Sequence, residues 1–177
     1  MSMLLMARRG QADPPVVAEG LQTVIDEMRL MIDSMDSVGE SLQSALTIFR
    51  ERVEPRVAAA GKCLVWDDRS GGNLPDLGPR EVLQVFRVLQ EAVTNALKHS
   101  TGDTVTISLE RPGPEGLRLV VGDNGSGMGA ANPRGRGMIN MEGRAEAVGG
   151  ALTVQSSDSG VQIVIELPDK RTVKAAP

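Results

Sequence analysis

The sequence predicts an α/β fold: a mixed, mostly antiparallel sheet layered on one face with helices and preceded by a partial helical hairpin. Two observations predict it. In the first half, apolar residues return every three or four places, at Val17, Leu21, Val24, Met28, Met31, Met35, Val38, Leu42, Ala45 and Phe49, the spacing of a helical seam. From Lys62 onward the texture changes to short apolar runs bounded by Gly, Asp, Asn and Ser, interrupted by two longer helical patterns.

Taken in order, SMLLMARR reads as the tail of a longer helix, because so short a piece is marginal alone. Gly10 to Pro15 then forms the turn of a hairpin, and a helix runs from about 15 to 36, started by Asp13-Pro14. Ser37 followed by Glu40 is a capping-box pattern, so a second helix is expected over about 38–54, ended near Pro55. Ile25, Ile32 and Leu46 widen the seam on one flank, which suits a helical bundle better than a two-stranded coil. CLVW is a short strand, and DDRSGGNLPDLG is loop. Pro79 opens a helix that runs to about His99. Strands follow at about 104–110 and 117–122, then a glycine-rich loop, then a helix over about 137–148 stopped by Gly149-Gly150. ALTVQS and VQIVIEL, separated by SDSG, form a final hairpin, and the tail past Pro168 frays. The expected division is 1–37 for the partial hairpin, 38–168 for the main domain and 169–177 for the tail.

Composition removes several function classes. Aromatic residues are 2% of the 177, with no Tyr, so the chain offers no platform for stacked nucleic-acid bases. A net charge of −4 argues against nucleic-acid or anionic-membrane partners. Cys63 is the only cysteine and His99 the only histidine, which excludes an internal disulfide, argues against a structural zinc site and fits a reducing cytoplasm. No apolar run approaches the ~20 residues of a membrane span. MSMLLMARRG carries its basic residues after its apolar run, unlike a signal peptide. The expected location is therefore cytoplasmic.

Three stretches carry candidate chemistry. On the helix PREVLQVFRVLQEAVTNALKHS, the residues Val82, Phe86, Leu89, Val93, Ala96 and Leu97 share one sector, with Glu91, Asn95 and Lys98 opposite. The second set reads either as a solvated face or as a wall for a magnesium-bound phosphate chain. An Asn oxygen suits Mg²⁺, Lys supplies charge to phosphates, and Glu can orient or deprotonate a nucleophile. VGDNGSGMG likewise has two readings, a hairpin turn or a pocket in which Asp123 reads a base while glycines admit a ligand. GRGMINMEGRAEAVGG brings a glycine-bracketed turn into a helix, which directs free N–H groups at an anion. Its likeness to a dinucleotide fingerprint fails, because Asn140 stands at the third small position and no strand directly precedes it. GxxxxGK[ST] and the protein-kinase signatures are absent.

In this order the three stretches resemble the GHKL ATPases, the superfamily of gyrase, the ninety-kilodalton heat-shock chaperone, histidine kinases and MutL. EAVTNALKH is similar to the N box, DNGSGM to the first glycine box and GRGMINMEGRAEAVGG to the second, over about residues 78 to 167. Within the superfamily the sequence most resembles histidine kinases related to the nitrate sensors and DesK, with a short lid between the glycine boxes. It departs from that subgroup at Gly143, where an acidic residue commonly precedes Arg144.

The resemblance implies a GHKL fold with ATP and Mg²⁺ as cofactors, and assigns roles by position. Glu91 positions or activates the phosphoryl acceptor, Asn95 ligates Mg²⁺, Lys98 contacts phosphates and His99 completes the box. Asp123 accepts a hydrogen bond from the adenine amino group, Gly125 and Gly127 let the loop approach the nucleotide, and Met128 packs near the base. Gly135, Arg136 and Gly137 cradle the terminal phosphates. It further implies a dimerisation and phosphotransfer hairpin whose acceptor histidine is absent here, so that the chain reads as a fragment beginning after it and is expected not to autophosphorylate. The implied partners are ATP or ADP, a response regulator through the whole protein, and a second copy through the N-terminal helices, with a parent that can be membrane-anchored. The weighed alternatives are an anti-sigma-factor-type serine kinase and a non-catalytic nucleotide-binding or dimerisation module.

Overall fold

A computed structural model describes residues 41–113, 116–128 and 135–169, apart from the Arg136 side chain. The expectations placed on residues 1–40, namely the helix over 15–36, the Ser37–Glu40 capping box, and the hairpin with its dimer face, lie outside the described residues. So does the tail from residue 170.

Helix α1 spans Leu42–Ala59 and starts at Ser41, whose hydroxyl accepts from the Ser44 amide at 3.4 Å. It therefore begins later than residue 38 and does not end near Pro55, which lies inside it. Pro55 removes one helical hydrogen bond, but it sits on the exposed side, where water can serve the freed carbonyl. Val53 and Val57, buried on either side of it, hold the helix on course. The inward row is Leu42, Leu46, Phe49, Val53 and Val57, so Leu46 belongs to the core and the smaller Ala45 to its margin.

Strand β1 (Cys63–Asp68) extends two residues beyond CLVW. Parallel pairing with β2 (Thr104–Glu110) sets Asp67 opposite Ser108 and Asp68 opposite Leu109, and an edge strand tolerates such residues. Helix α2 (Pro79–His99) has Pro at its first position, and the Glu81 carboxylate accepts from the Gly78 amide at 2.8 Å. Strand β3 spans Gly116–Asp123, helix α3 Arg136–Ala147, strand β4 Ala151–Ser157 and strand β5 Gly160–Pro168. Helix α3 is followed by Gly149 at φ +75°, a left-handed turn that favours glycine.

The strands form one sheet in the order β1-β2-β3-β5-β4, in which only the β1–β2 pair is parallel. Cross-strand register sets Ile107, Val121 and Ile163 side by side, and Leu109, Leu119 and Ile165 next to them. All six are buried. The helices pack as a layer in which α1 lies on β1 and α2, α2 against β3, and α3 against α2, β4 and β5. Phe49 of α1 and Phe86 of α2 meet edge to face with centroids 5.4 Å apart. The opposite row of β2, Thr104, Thr106, Ser108 and Glu110, stays half-exposed, so helices cover one face only. Each fully buried aliphatic side chain contributes about 1.5–3 kcal/mol.

At the end where β3 begins, Arg111 pairs with Asp169 at 3.3 Å and donates to the Asn73 carbonyl at 2.7 Å. Asp169, the residue that follows β5, is buried.

Candidate nucleotide site

Beyond the other end of β3 the layers part around a cavity of about 390 Å³. Glu91, Asn95 and His99 reach it from α2, where steps of four residues stack side chains along one face. Asp123 enters from the end of β3, Gly127 and Met128 from the loop after it, and Gly135 and Gly137 from the start of α3. Val121, Ile163, Ala96 and Met138 form an apolar lining. An apolar slot edged by a few convergent polar groups is the usual form of a small-molecule site.

The stretch VGDNGSGMG is not a hairpin turn. Strand β3 pairs with β2 on one side and β5 on the other, so residues 124–128 do not return the chain to a strand paired across that turn. The Asn124 side chain turns back to the start of β2, accepting from the Thr104 amide at 2.9 Å and donating to Asp103 at 2.9 Å. The Asn124 bond, followed by the Thr104 hydroxyl, holds the Asp103 carboxyl below its ordinary range.

Asp123 is half satisfied by the protein. Its Oδ1 accepts from the Ser100 hydroxyl at 2.6 Å and from the Gly125 amide at 2.8 Å. Its Oδ2 has no hydrogen-bond partner among the described residues. Gly125 does not line the cavity, because it lies behind the carboxylate, where a Cβ would crowd Ser100 Oγ and Asp123 Oδ1. Gly127 does line it, at φ +76°, and a Cβ there would run into the Ser157 carbonyl. Met128 is 37% exposed, with its amide held by Ser156 Oγ at 2.7 Å.

Helix α3 begins at Gly135, whose extended backbone (φ −66°, ψ 164°) turns the chain into the helix. The first amides of a helix lack intrahelical acceptors and carry the positive end of its dipole, and here they open beside Glu91. A Cβ on Gly137 would collide with Glu91 Oε1, so glycine lets this helix end approach the acid. The Arg136 side chain and residues 129–134 lie outside the described residues. Lys98 is exposed and is not part of the cavity lining, unlike its helix neighbours Glu91 and Asn95. Among the described residues no group of three or more His, Cys, Asp or Glu is placed to hold a metal. The Asn95 side-chain oxygen at the cavity wall could supply one ligand to a cation held mainly by phosphate and water, which suits Mg²⁺.

Sequence reasoning missed Ser100, Ser156 and the apolar lining. Ser100 caps the C-terminus of α2, but nothing local signals a partner 23 residues away.

A helix-backed mixed sheet whose central strands end at an acid, an amide and a glycine-framed helix end is an α/β domain with a site suited to a nucleotide. Residues 81–171 match the family described as histidine kinase-, DNA gyrase B-, and HSP90-like ATPase, and the chain belongs to that family. Among its relatives, an uncharacterized sensor-like histidine kinase of Chloroflexus aurantiacus is 29% identical over 84% of this chain and 25% of its own length. The signal transduction histidine-protein kinase/phosphatase UhpB of Salmonella typhimurium is 34% identical over 53% of this chain and 19% of its own. The chain thus spans about a quarter or less of these relatives. The fold is that of the histidine kinase domain from the Erythrobacter litoralis EL346 blue-light activated kinase, with a TM-score of 0.69 at 17% identity, covering 96% of this chain and 81% of that one. No described helix is long and apolar enough to cross a membrane.

Proposed function

We propose that this chain is the catalytic ATP-binding domain of a two-component sensor histidine kinase and that it transfers the γ-phosphoryl group of Mg-ATP to a histidine. The observation that carries the reading is Asp123, which lines the cavity that Glu91 and Asn95 share and is held by the protein at one oxygen while the other has no partner among the described residues. An acceptor oxygen there suits the adenine amino group and mismatches the carbonyl of guanine. The apolar lining, with Met128 at its margin, takes the flat ring.

The phosphate chain then runs towards the N-terminus of α3, where Gly135, Arg136 and Gly137 offer backbone amides. Asn95 would hold Mg²⁺, which when bound neutralises phosphate charge. Glu91 orients the incoming imidazole or takes its proton, so that its nitrogen attacks the γ-phosphorus in line. The new N–P bond forms as the bond to the bridging oxygen breaks, and ADP leaves. His99 is the only histidine and belongs to the cavity wall beside Asp123, so we assign it to binding and place the acceptor elsewhere. The whole protein would pair through its N-terminal helices, pass the phosphoryl group to a response regulator, and keep this domain in the cytoplasm. The short segment between the glycine boxes supports a nitrate-sensor or DesK-like subgroup.

Calorimetric titration with ATP, ADP and GTP, with and without Mg²⁺, tests the reading. We expect ATP and ADP to bind well ahead of GTP, with Mg²⁺ strengthening ATP. Equal affinity for ATP and GTP would remove Asp123 from the role of base reader.

A further inference from the structure

We propose that Ser100 is a positioning residue for purine recognition: its hydroxyl occupies one oxygen of Asp123 and thereby aims the other at the ligand. The inference rests on the reading of Asp123 as the group that meets the base.

Ser100 ends α2 and lines the cavity. Its Oγ accepts from the Gly102 amide at 3.1 Å. An amide can only donate, so the Ser100 hydroxyl proton is left for its other partner, Asp123 Oδ1, 2.6 Å away. Together with the Gly125 amide this gives Oδ1 two donors, and a carboxylate fixed at one oxygen presents the other in a set direction. The direction of the free oxygen of Asp123 is therefore set by the serine together with the Gly125 amide.

The serine is itself held. Lys62, just past the end of α1, donates from Nζ to the Ser100 carbonyl at 3.0 Å and also to the Gly102 carbonyl. Space is equally closed, since a Cβ on Gly102 would strike Asn124 and one on Gly125 would strike Ser100 Oγ. The turn after α2 and the loop after β3 are thus built against each other around the Ser100–Asp123 bond. A serine placed only to cap the helix would not need its proton on that carboxylate.

Comparing two nucleotides separates positioning from mere folding. ATP carries the 6-amino group that Asp123 would meet, whereas purine riboside 5′-triphosphate carries hydrogen there and is otherwise the same. We expect the wild-type chain to prefer ATP by roughly tenfold, as for a hydrogen bond to a charged group. Ser100→Ala should reduce that preference to about twofold, and Ser100→Thr, which keeps the hydroxyl, should restore it. Any general damage, including loss of the Oγ that accepts from the Gly102 amide, weakens both nucleotides alike and cancels in the ratio. If Ser100→Ala fails to fold, Ser100→Cys keeps the volume with a weaker donor, and its ratio should fall clearly below that of the wild type. A wild-type preference that survives in Ser100→Ala, or in Ser100→Cys where that variant stands in, overturns the proposal. So does a preference that Ser100→Thr fails to restore. A wild-type chain with no preference at all would overturn the reading of Asp123 itself, and the role of Ser100 with it.

Discussion

Asp169 and Asp123 stand at opposite ends of the paired strands β3 and β5, and the protein treats them differently. Asp169 is 2% exposed and ion-paired with Arg111, which also ties down the Asn73 carbonyl. Asp123 receives two donors on one oxygen and none from the described residues on the other. The first arrangement resists unfolding, because a buried charge stripped of its partner is costly. The second leaves acceptor capacity at a cavity, where a ligand can use it. A carboxylate is thus structural or functional according to how completely its neighbours satisfy it.

Breaking the closed end should give the largest effect. Arg111→Ala removes the guanidinium that holds both Asp169 and the Asn73 carbonyl and should cost roughly 3 kcal/mol of stability in a denaturant titration, as for the loss of hydrogen bonds to a charged group, with nucleotide affinity unchanged in the protein that remains folded. A loss as small as that of a surface substitution would erase the contrast. At the open end, Asp123→Asn should lower ATP affinity by about 1–3 kcal/mol, as an amide donor confronts the adenine amino group, while the melting temperature moves little. Thermal unfolding without nucleotide checks the second half of that statement. Asn95→Ala should leave the far-ultraviolet spectrum and metal-free ATP binding intact and abolish the enhancement by Mg²⁺, which titration at fixed ATP would reveal. Mg²⁺ strengthening ATP equally in both proteins would move the metal ligand elsewhere.

The smallest effect concerns Asp103, whose carboxyl is lowered first by the Asn124 amide. A carboxyl with a depressed folded value adds stability above its unfolded pKa, near pH ~4. That stability is lost as pH falls through the folded value. Asn124→Ala should raise the Asp103 midpoint towards the ordinary range in an NMR titration, with global stability at neutral pH little altered.

Much of this molecule is legible in one dimension. The alternation of β2 and β3, the Pro79 start and the two stripes of α2 come from repeats of two or 3.6 residues, which need no knowledge of the fold. Glu91 and Asn95 belong to the same logic, being one turn apart on a helix whose other side is apolar. Where tertiary contacts compete with local signals, the local reading fails. Pro55 should end a helix, but Val53 and Val57 are buried on either side of it and carry the helix on. Asp67 and Asp68 suggest loop until parallel pairing with β2 recruits them.

The sequence by itself determined the order of the elements, the apolar row that seals the sheet and the residue types available at the cavity, because each depends on neighbours within a few places along the chain. Only the tertiary structure decided which oxygen of Asp123 is spoken for. The groups that decide it, Ser100 on α2, Gly125 behind the carboxylate and Lys62 beneath the turn, meet only once the ends of α1, α2 and β3 are brought together. Lys62 and Ser100 lie 38 residues apart, and Ser100 and Asp123 lie 23 apart. No local periodicity reaches over such separations, because the bonds are made by the folded domain and not by the segments that enter it.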